Sequence, residues 1–289
     1  MPITDAVTET HIDLPEELSR FLKDGAAEGL VPWALEREAA LRFGLDARAV
    51  EAAALDAGLF PARYGRNRGL FGLEGQRALH RTRVLVAGCG GLGGHLVEGL
   101  ARLGVGRITA VDPDSFDESN LNRQLLCTLD TLGRPKADAA AARVAAVNPA
   151  CRVIPLRERL CPANADTLLE GVDLALDGLD SVSAREALSD ACARSRIPLV
   201  HAAVAGWYGQ ASVQPPGSPT VVKLYENATS SSDYGDERSS GNQAFGPALA
   251  AAIQLAQACA IILEGKSARE GRLLCYDLLS MSGQLFDIG

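Results

Sequence analysis

The sequence predicts an α/β fold: a doubly wound, Rossmann-like, mostly parallel sheet, with antiparallel C-terminal strands and a helical N-terminal extension. Three observations carry this prediction. A short apolar run, Arg83 to Ala87, passes through Gly88-x-Gly90-Gly91-x-Gly93 straight into a helical segment, the strand–turn–helix order of a nucleotide-binding unit. From Arg83 onward, apolar runs of strand length alternate with helix-length segments, as parallel strands joined by crossover helices require. After Val200 the alternation stops, and Pro215-Pro-Gly217 lies between strand-like runs, which predicts antiparallel pairing.

Taken in order, residues 1–62 read as the helical extension and residues 63–289 as the main domain. Asp46 is placed as an N-cap, Leu45 and Val50 as a hydrophobic staple around it, and Gly58 as the terminator of that helix. Residues 36–43 form a second, shorter helical candidate. A turn rich in glycine and arginine, beginning Arg63-Tyr-Gly-Arg66, precedes an amphipathic helix that reaches His80. The strand runs are 83–87, 107–111, 152–156, 172–176 and 197–201, with helices at 93–103, 135–147, 163–169 and 183–194. Pro135 suits the first helical position, and Asn148-Pro149 a stop. Residues 211–224 read as antiparallel strands, and residues 225–243 as a mobile crossover loop on the surface. An alanine-rich buried helix over 247–263 and a hairpin of 272–276 with 284–288 complete the chain.

A chain of 289 residues with 47% hydrophobic content can bury a sizeable core. No apolar run looks long enough to cross a bilayer, and residues 1–14 carry acids instead of the apolar centre of a signal peptide. The net charge of −8 argues against a general nucleic-acid binder. Seven cysteines at scattered spacings fit a reduced, cytoplasmic protein better than a disulfide framework. None forms a C-x-x-C pair, so no zinc site is expected.

The chemistry gathers where strands end. Gly88 permits a tight turn, and Gly90 lets a phosphate approach the backbone ahead of a helix N-terminus. Asp112, at the end of the next strand, is placed to accept hydrogen bonds from a ribose hydroxyl. Asn120, Arg123, Gln124 and Lys136 follow as donors suited to a triphosphate. Asp180, just past a later strand, can hold Mg²⁺ against phosphate oxygens; the plainer alternative is that it only caps the next helix. An NAD-dependent oxidoreductase is a further alternative, but it would leave Arg123, Lys136 and Asp180 without work.

Together these residues resemble one family. Gly88-x-Gly-Gly-Leu-Gly93, Asp112-x-Asp114, Ser119-Asn-Leu-Asn-Arg-Gln124, Gly133-x-Pro-Lys136 and Asp177-x-x-Asp180 are similar, in order and spacing, to the ThiF/MoeB/HesA group of ubiquitin-activating-type adenylyltransferases. The resemblance spans roughly residues 63–289 and implies ATP-dependent adenylation of a carboxylate, commonly the C-terminal glycine of a small ubiquitin-like sulfur carrier. It brings Gly91 and Asp114 into the nucleotide site. It also implies that Arg66 matches the second arginine of the family's Arg-Tyr-x-Arg segment, which reaches ATP, often from the partner subunit of a homodimer. A same-fold enzyme acting on a peptide terminus or a modified tRNA base is the alternative within the resemblance. This chain departs from the group in three places. Thr220-Val-Val-Lys223 stands where many members have their first zinc-binding C-x-x-C pair. Residues 238–247 lack the cysteine used elsewhere for thiol transfer, and Asp180-Ser181 replaces the usual Asp-Asn. Zinc and covalent thiol transfer are therefore not expected, whereas adenylation is.

Overall fold

A computed structural model describes residues 14–225, 241–264 and 271–288. The chain divides into two compact units, one ending at Leu73 and one beginning at Glu74.

The first unit is helical. Helices α1 (Leu14–Gly25), α2 (Trp33–Phe43) and α3 (Ala47–Asp56) enclose Leu18, Leu22, Val31, Ala39, Val50 and Ala54. Asp46 caps α3 as its spacing predicts, its side chain accepting the Ala49 N–H at 2.7 Å. Gly58 follows the helix at φ +85°, a left-handed conformation that glycine adopts without strain. The short strands β1 (Leu30–Val31) and β2 (Phe60–Pro61) pair in parallel. Helix α2 begins three residues earlier than its periodicity suggests, because Pro32 sits just outside the start and leaves no amide to satisfy there. Arg63 and Tyr64 are tied to this unit by hydrogen bonds. Arg63 binds Glu36 through both terminal nitrogens, at 2.6 to 2.9 Å, and the Tyr64 hydroxyl donates to Glu51 at 3.0 Å. Burial pushes the Glu36 carboxyl up to about 7, although Arg63 pulls the other way. Arg66, two residues beyond this anchor, is exposed.

The second unit is built on an eight-stranded sheet. Its parallel part consists of β3 (Arg83–Ala87), β4 (Arg107–Val111), β5 (Arg152–Leu156), β6 (Leu174–Asp177) and β7 (Leu199–Ala205). The antiparallel strands β8 (Tyr208–Gln214), β9 (Arg272–Asp277) and β10 (Ser282–Asp287) extend it past β7. The order β10-β9-β8-β7-β6-β3-β4-β5 confirms the predicted doubly wound fold, and it reverses direction between β3 and β6. The strands from Val84 to Ala87 and from Leu174 to Leu176 are buried on both faces, which is why they read as unbroken apolar runs. Helix α4 (Arg68–Arg81) is broken at Gly72, whose φ of +62° and ψ of −177° no helix tolerates.

Helices α5 (Gly91–Leu103) and α6 (Lys136–Val147) pack on one face of the sheet; α7 (Ala165–Leu168) and α8 (Val182–Ser195) pack on the other. Pro135 proves to be the residue just before α6, one position earlier than expected.

Two expectations are corrected. Residues 220–224 form no strand: α9 (Thr220–Lys223) is a short helix, since β9 already occupies the edge of β8. The side chain of Gln214 secures it by accepting the Val221 N–H. Helix α10 (Phe245–Glu264) has the length and hydropathy to cross a bilayer, so the expectation that no run is long enough fails. In this structure it lies on α5, β7 and β8 with Gln254 turned inward, donating to the carbonyls of Asp177 and Val200. The predicted crossover loop falls largely on residues 226–240, outside the described residues.

Candidate active site

Register decides what meets at the sheet edge. Ala87 pairs with Val111 on one side and with Asp177 on the other, so Gly88, Asp112 and Gly178 all leave the sheet at the same level. Here, at the reversal of strand order, lies a cleft of about 450 Å³. Of the residues singled out in the sequence, Gly88, Gly90, Gly91, Asp112, Asp114, Arg123, Gln124, Lys136 and Asp180 line it.

The glycine turn is compressed against its neighbours. Gly88 has φ +87°, and a Cβ there would lie 2.4 Å from the Gly178 carbonyl oxygen. A Cβ on Gly93 would lie 1.8 Å from the Gly88 oxygen, so Gly93 serves backbone packing and does not line the cleft. Helix α5 starts after Gly90 with no side-chain cap, which leaves its first N–H groups available to an anion.

Asp112 is buried and holds this turn from below. Its Oδ2 accepts the Cys89 N–H at 2.7 Å, and its Oδ1 accepts the Asp114 N–H at 2.8 Å. Burial raises its carboxyl above the usual range, against those hydrogen bonds and the charge of Lys136. Each oxygen keeps a second lone pair for a ligand hydroxyl.

Lys136 opens α6, where the helix dipole disfavours a cation. It is nevertheless buried, with Nζ 3.4 Å from Asp114 Oδ2. A cation kept at the unfavourable end of a helix and facing a cleft is a mark of function rather than of stability. Gln124 adds a second such mark. Its Oε1 is buried and has no hydrogen-bond partner, while the residue borders the position of Gly90. An unmet acceptor of this kind costs about 1–3 kcal/mol, and a ligand donor would relieve it.

Arg123 sits at the mouth, its Nη1 donating to the Ser119 carbonyl at 3.0 Å and to Asn122 Oδ1 at 2.8 Å. Asn120 is buried beside the cleft, with its Nδ2 donating weakly to Ser119 Oγ at 3.4 Å. It accepts the Asp117 N–H in a reciprocal capping turn over residues 117–120 and lies outside the lining. Asp180 is exposed, and Ser181 holds the N-cap position of α8, so Asp180 does not cap that helix. Among the described residues no three His, Cys, Asp or Glu side chains cluster at metal-binding distance. A Mg²⁺ ion would accordingly share Asp180 with phosphate oxygens and water. Glu158, Arg159 and Leu160, from the loop after β5, also line the cleft. The rule that strand ends at this edge bind ligands would have found them in the sequence.

A doubly wound domain with an uncapped helix N-terminus, a buried lysine and a buried aspartate gathered at its switch point has its cleft where such folds bind ligands. More narrowly, residues 64–289 match the ThiF family, and the chain belongs to it. It is 36% identical over 211 residues to the SAMP-activating enzyme E1 of Haloferax volcanii, covering 73% of this chain and 78% of that one. It is 40% identical over 143 residues to the molybdopterin-synthase adenylyltransferase of Salmonella typhimurium, covering 50% of this chain and 57% of the relative. A tRNA threonylcarbamoyladenosine dehydratase of Bacillus subtilis is 39% identical over 138 residues, covering 47% of this chain and 54% of that one. The chain thus spans little more than half the length of the latter two. Among solved structures, E. coli MccB with succinimide superposes at TM-score 0.65 and 21% identity over 78% of this chain and 72% of that one, which shows the shared fold. The resemblance read from the motifs is therefore a true family relation, and its adenylyltransferase relatives make this chain an enzyme of that type.

Proposed function

We propose that the protein uses ATP to adenylate the C-terminal glycine carboxylate of a small ubiquitin-like sulfur-carrier protein. One observation carries the reading: Lys136, Arg123 and the uncapped N-terminus of α5 converge on a single cleft, beside Asp112 and the unmet oxygen of Gln124. A carboxylate oxygen attacks the α-phosphorus, the bond from that phosphorus to the β-bridging oxygen breaks, and pyrophosphate leaves. The carboxylate is already a nucleophile, so no side chain needs to take a proton. Catalysis is then positioning and charge neutralisation. Asp112 orients the ribose, Gln124 receives a nucleotide donor, and Lys136 and Arg123 offset charge on the phosphates. Asp180 lines the cleft and would hold Mg²⁺, which would supply further neutralisation of the triphosphate. No thiol takes part. Cys89 is buried in the turn, and burial raises its thiol far above the working range.

The names of the Haloferax and Salmonella relatives support a carrier protein as substrate. The Bacillus relative favours a tRNA carboxylate as the second reading, against which the net charge of −8 weighs. ATP–pyrophosphate exchange separates the two. Exchange is expected with Mg²⁺ and a carrier ending in glycine; exchange with tRNA alone would transfer the assignment, and none with either would end it.

The working form in this reading is a cytoplasmic homodimer in which Arg66 of one subunit completes the ATP site of the other. Arg63 and Tyr64 are fastened to Glu36 and Glu51 of the first unit, while Arg66 is exposed, which supports such a role. Arginine suits it, being charged at any working pH and able to engage phosphate oxygens in pairs. Mixing inactive Arg66→Ala with inactive Lys136→Ala should restore activity above either parent, since half of the sites in a mixed dimer become intact. No gain, although the subunits demonstrably exchange, would reject the shared site.

A further inference from the structure

Behind the cleft, where the end of β6 lies beside β7, is a buried polar chain that the proposed chemistry does not use. Asp177, His201 and Arg185 are all within 2% of complete burial. His201 Nδ1 donates to Asp177 Oδ2 at 2.6 Å, and its Nε2 accepts from the Tyr225 hydroxyl at 3.2 Å. Arg185 Nη1 donates to that same hydroxyl at 3.3 Å, and Arg185 Nε lies 3.6 Å from Asp177 Oδ2. Burial lowers the histidine below its usual range, against the pull of Asp177, which favours the neutral ring. A neutral imidazole has one donor and one acceptor, and the carboxylate on one side fixes which nitrogen is which.

The chain ends on the loop that lines the cleft. Asp177 Oδ1 accepts the Leu179 N–H at 2.8 Å, while Arg185 Nη2 donates to the Leu179 carbonyl at 2.6 Å. Both peptide groups flanking Leu179 are thereby held, and the next residue is Asp180. Buried ion pairs are costly to desolvate, and apolar side chains of equal volume commonly serve stability as well or better. What apolar side chains could not do is grip a loop peptide from both ends.

We propose that His201 and Arg185 are positioning residues: through Asp177 and the Leu179 backbone they set the turn at residues 178–180 so that the Asp180 carboxylate meets the metal ion on the bound triphosphate. This rests on the proposed role of Asp180 in the adenylation site. Groups that orient a metal-associated ligand from outside typically change metal affinity or activity by about 10- to 100-fold when lost.

The test is calorimetry of an ATP analogue with an α,β-methylene bridge, with and without Mg²⁺, beside exchange measured across a Mg²⁺ titration. His201→Leu should weaken the Mg²⁺-dependent binding by about tenfold and raise the Mg²⁺ needed for half-maximal exchange by a similar factor, while metal-free binding is unchanged. His201→Asn, which keeps a donor near Nδ1, should recover most of the loss. Tyr225→Phe removes only the hydroxyl and should shift the same quantities less; it decides the matter if His201→Leu does not fold. Equal weakening with and without metal, or a lower melting temperature alone, would overturn the proposal and leave the network a structural one. Wild-type metal dependence in Asp180→Asn would overturn it too. If wild-type protein binds the Mg²⁺-bound analogue but exchanges with no acceptor, the proposed function fails, and the calorimetry still decides the positioning role.

Discussion

Replacing Lys136 with alanine is expected to reduce ATP–pyrophosphate exchange by about 10²-fold or more, the scale on which a lost transition-state charge partner acts. The same change should leave the fold intact. Lys136 occupies the first position of α6, next to unsatisfied N–H groups, where a positive charge costs about 0.3–1 kcal/mol and alanine is the better helix former. Against that gain stand the packing of a side chain that is only 10% exposed and its counter-charge to Asp112 and Asp114, so the two effects offset. Activity and stability should therefore move apart: exchange collapses while the melting temperature changes little. Exchange near the wild-type rate would sink the proposed site. A melting temperature that falls in step with the exchange rate would show instead that the lysine is a structural member. Asp180→Ala should match the loss of exchange, since Asp180 is exposed and does not cap α8.

Gly93→Ala is the change expected to injure the protein most. The added carbon would lie 1.8 Å from the Gly88 carbonyl oxygen, less than any real Cβ contact, and both partners are backbone. Neither can rotate away. Relief requires α5 to move off β3, which also pulls the turn away from Asp112 and from Gly178, whose oxygen already closes on Gly88. Overpacking of this severity costs about 3 kcal/mol or more, a fall of roughly 10 °C in melting temperature for a unit of this size. Gly69→Ala in α4 is the control, because nothing lies within 4 Å of its Cβ position and alanine favours the helix. Thermal unfolding checks both. A Gly93→Ala protein that melts with the wild type would mean that the turn is looser than the geometry states.

These two residues differ in how readable they were. Gly93 was legible because a glycine at that spacing between a strand and a helix has few other uses. Lys136 was legible as a donor, but its burial and its pairing with Asp114 were not, since those depend on how the loop from residue 112 to residue 135 folds back. Asn120 shows the limit. Its type and spacing suit a phosphate donor, but they do not show that its Oδ1 also closes a local capping turn by accepting the Asp117 N–H. Residues 220–224 show another, where an apolar β-branched run became a helix because the neighbouring strand edge was already filled.

The sequence by itself determined the alternation of strands and helices, the glycine turn and the family to which the motifs belong. Those features rest on local periodicity and on backbone conformations that only certain residues accept. Tertiary structure alone decided the rest. The register of β3 between β4 and β6 brings Gly88, Asp112 and Gly178 to one level. The pairing of Asp177 with His201 and Arg185 links residues separated by up to 24 positions. No local pattern encodes such a contact, because a buried charge draws its partners from whichever elements the sheet sets beside it.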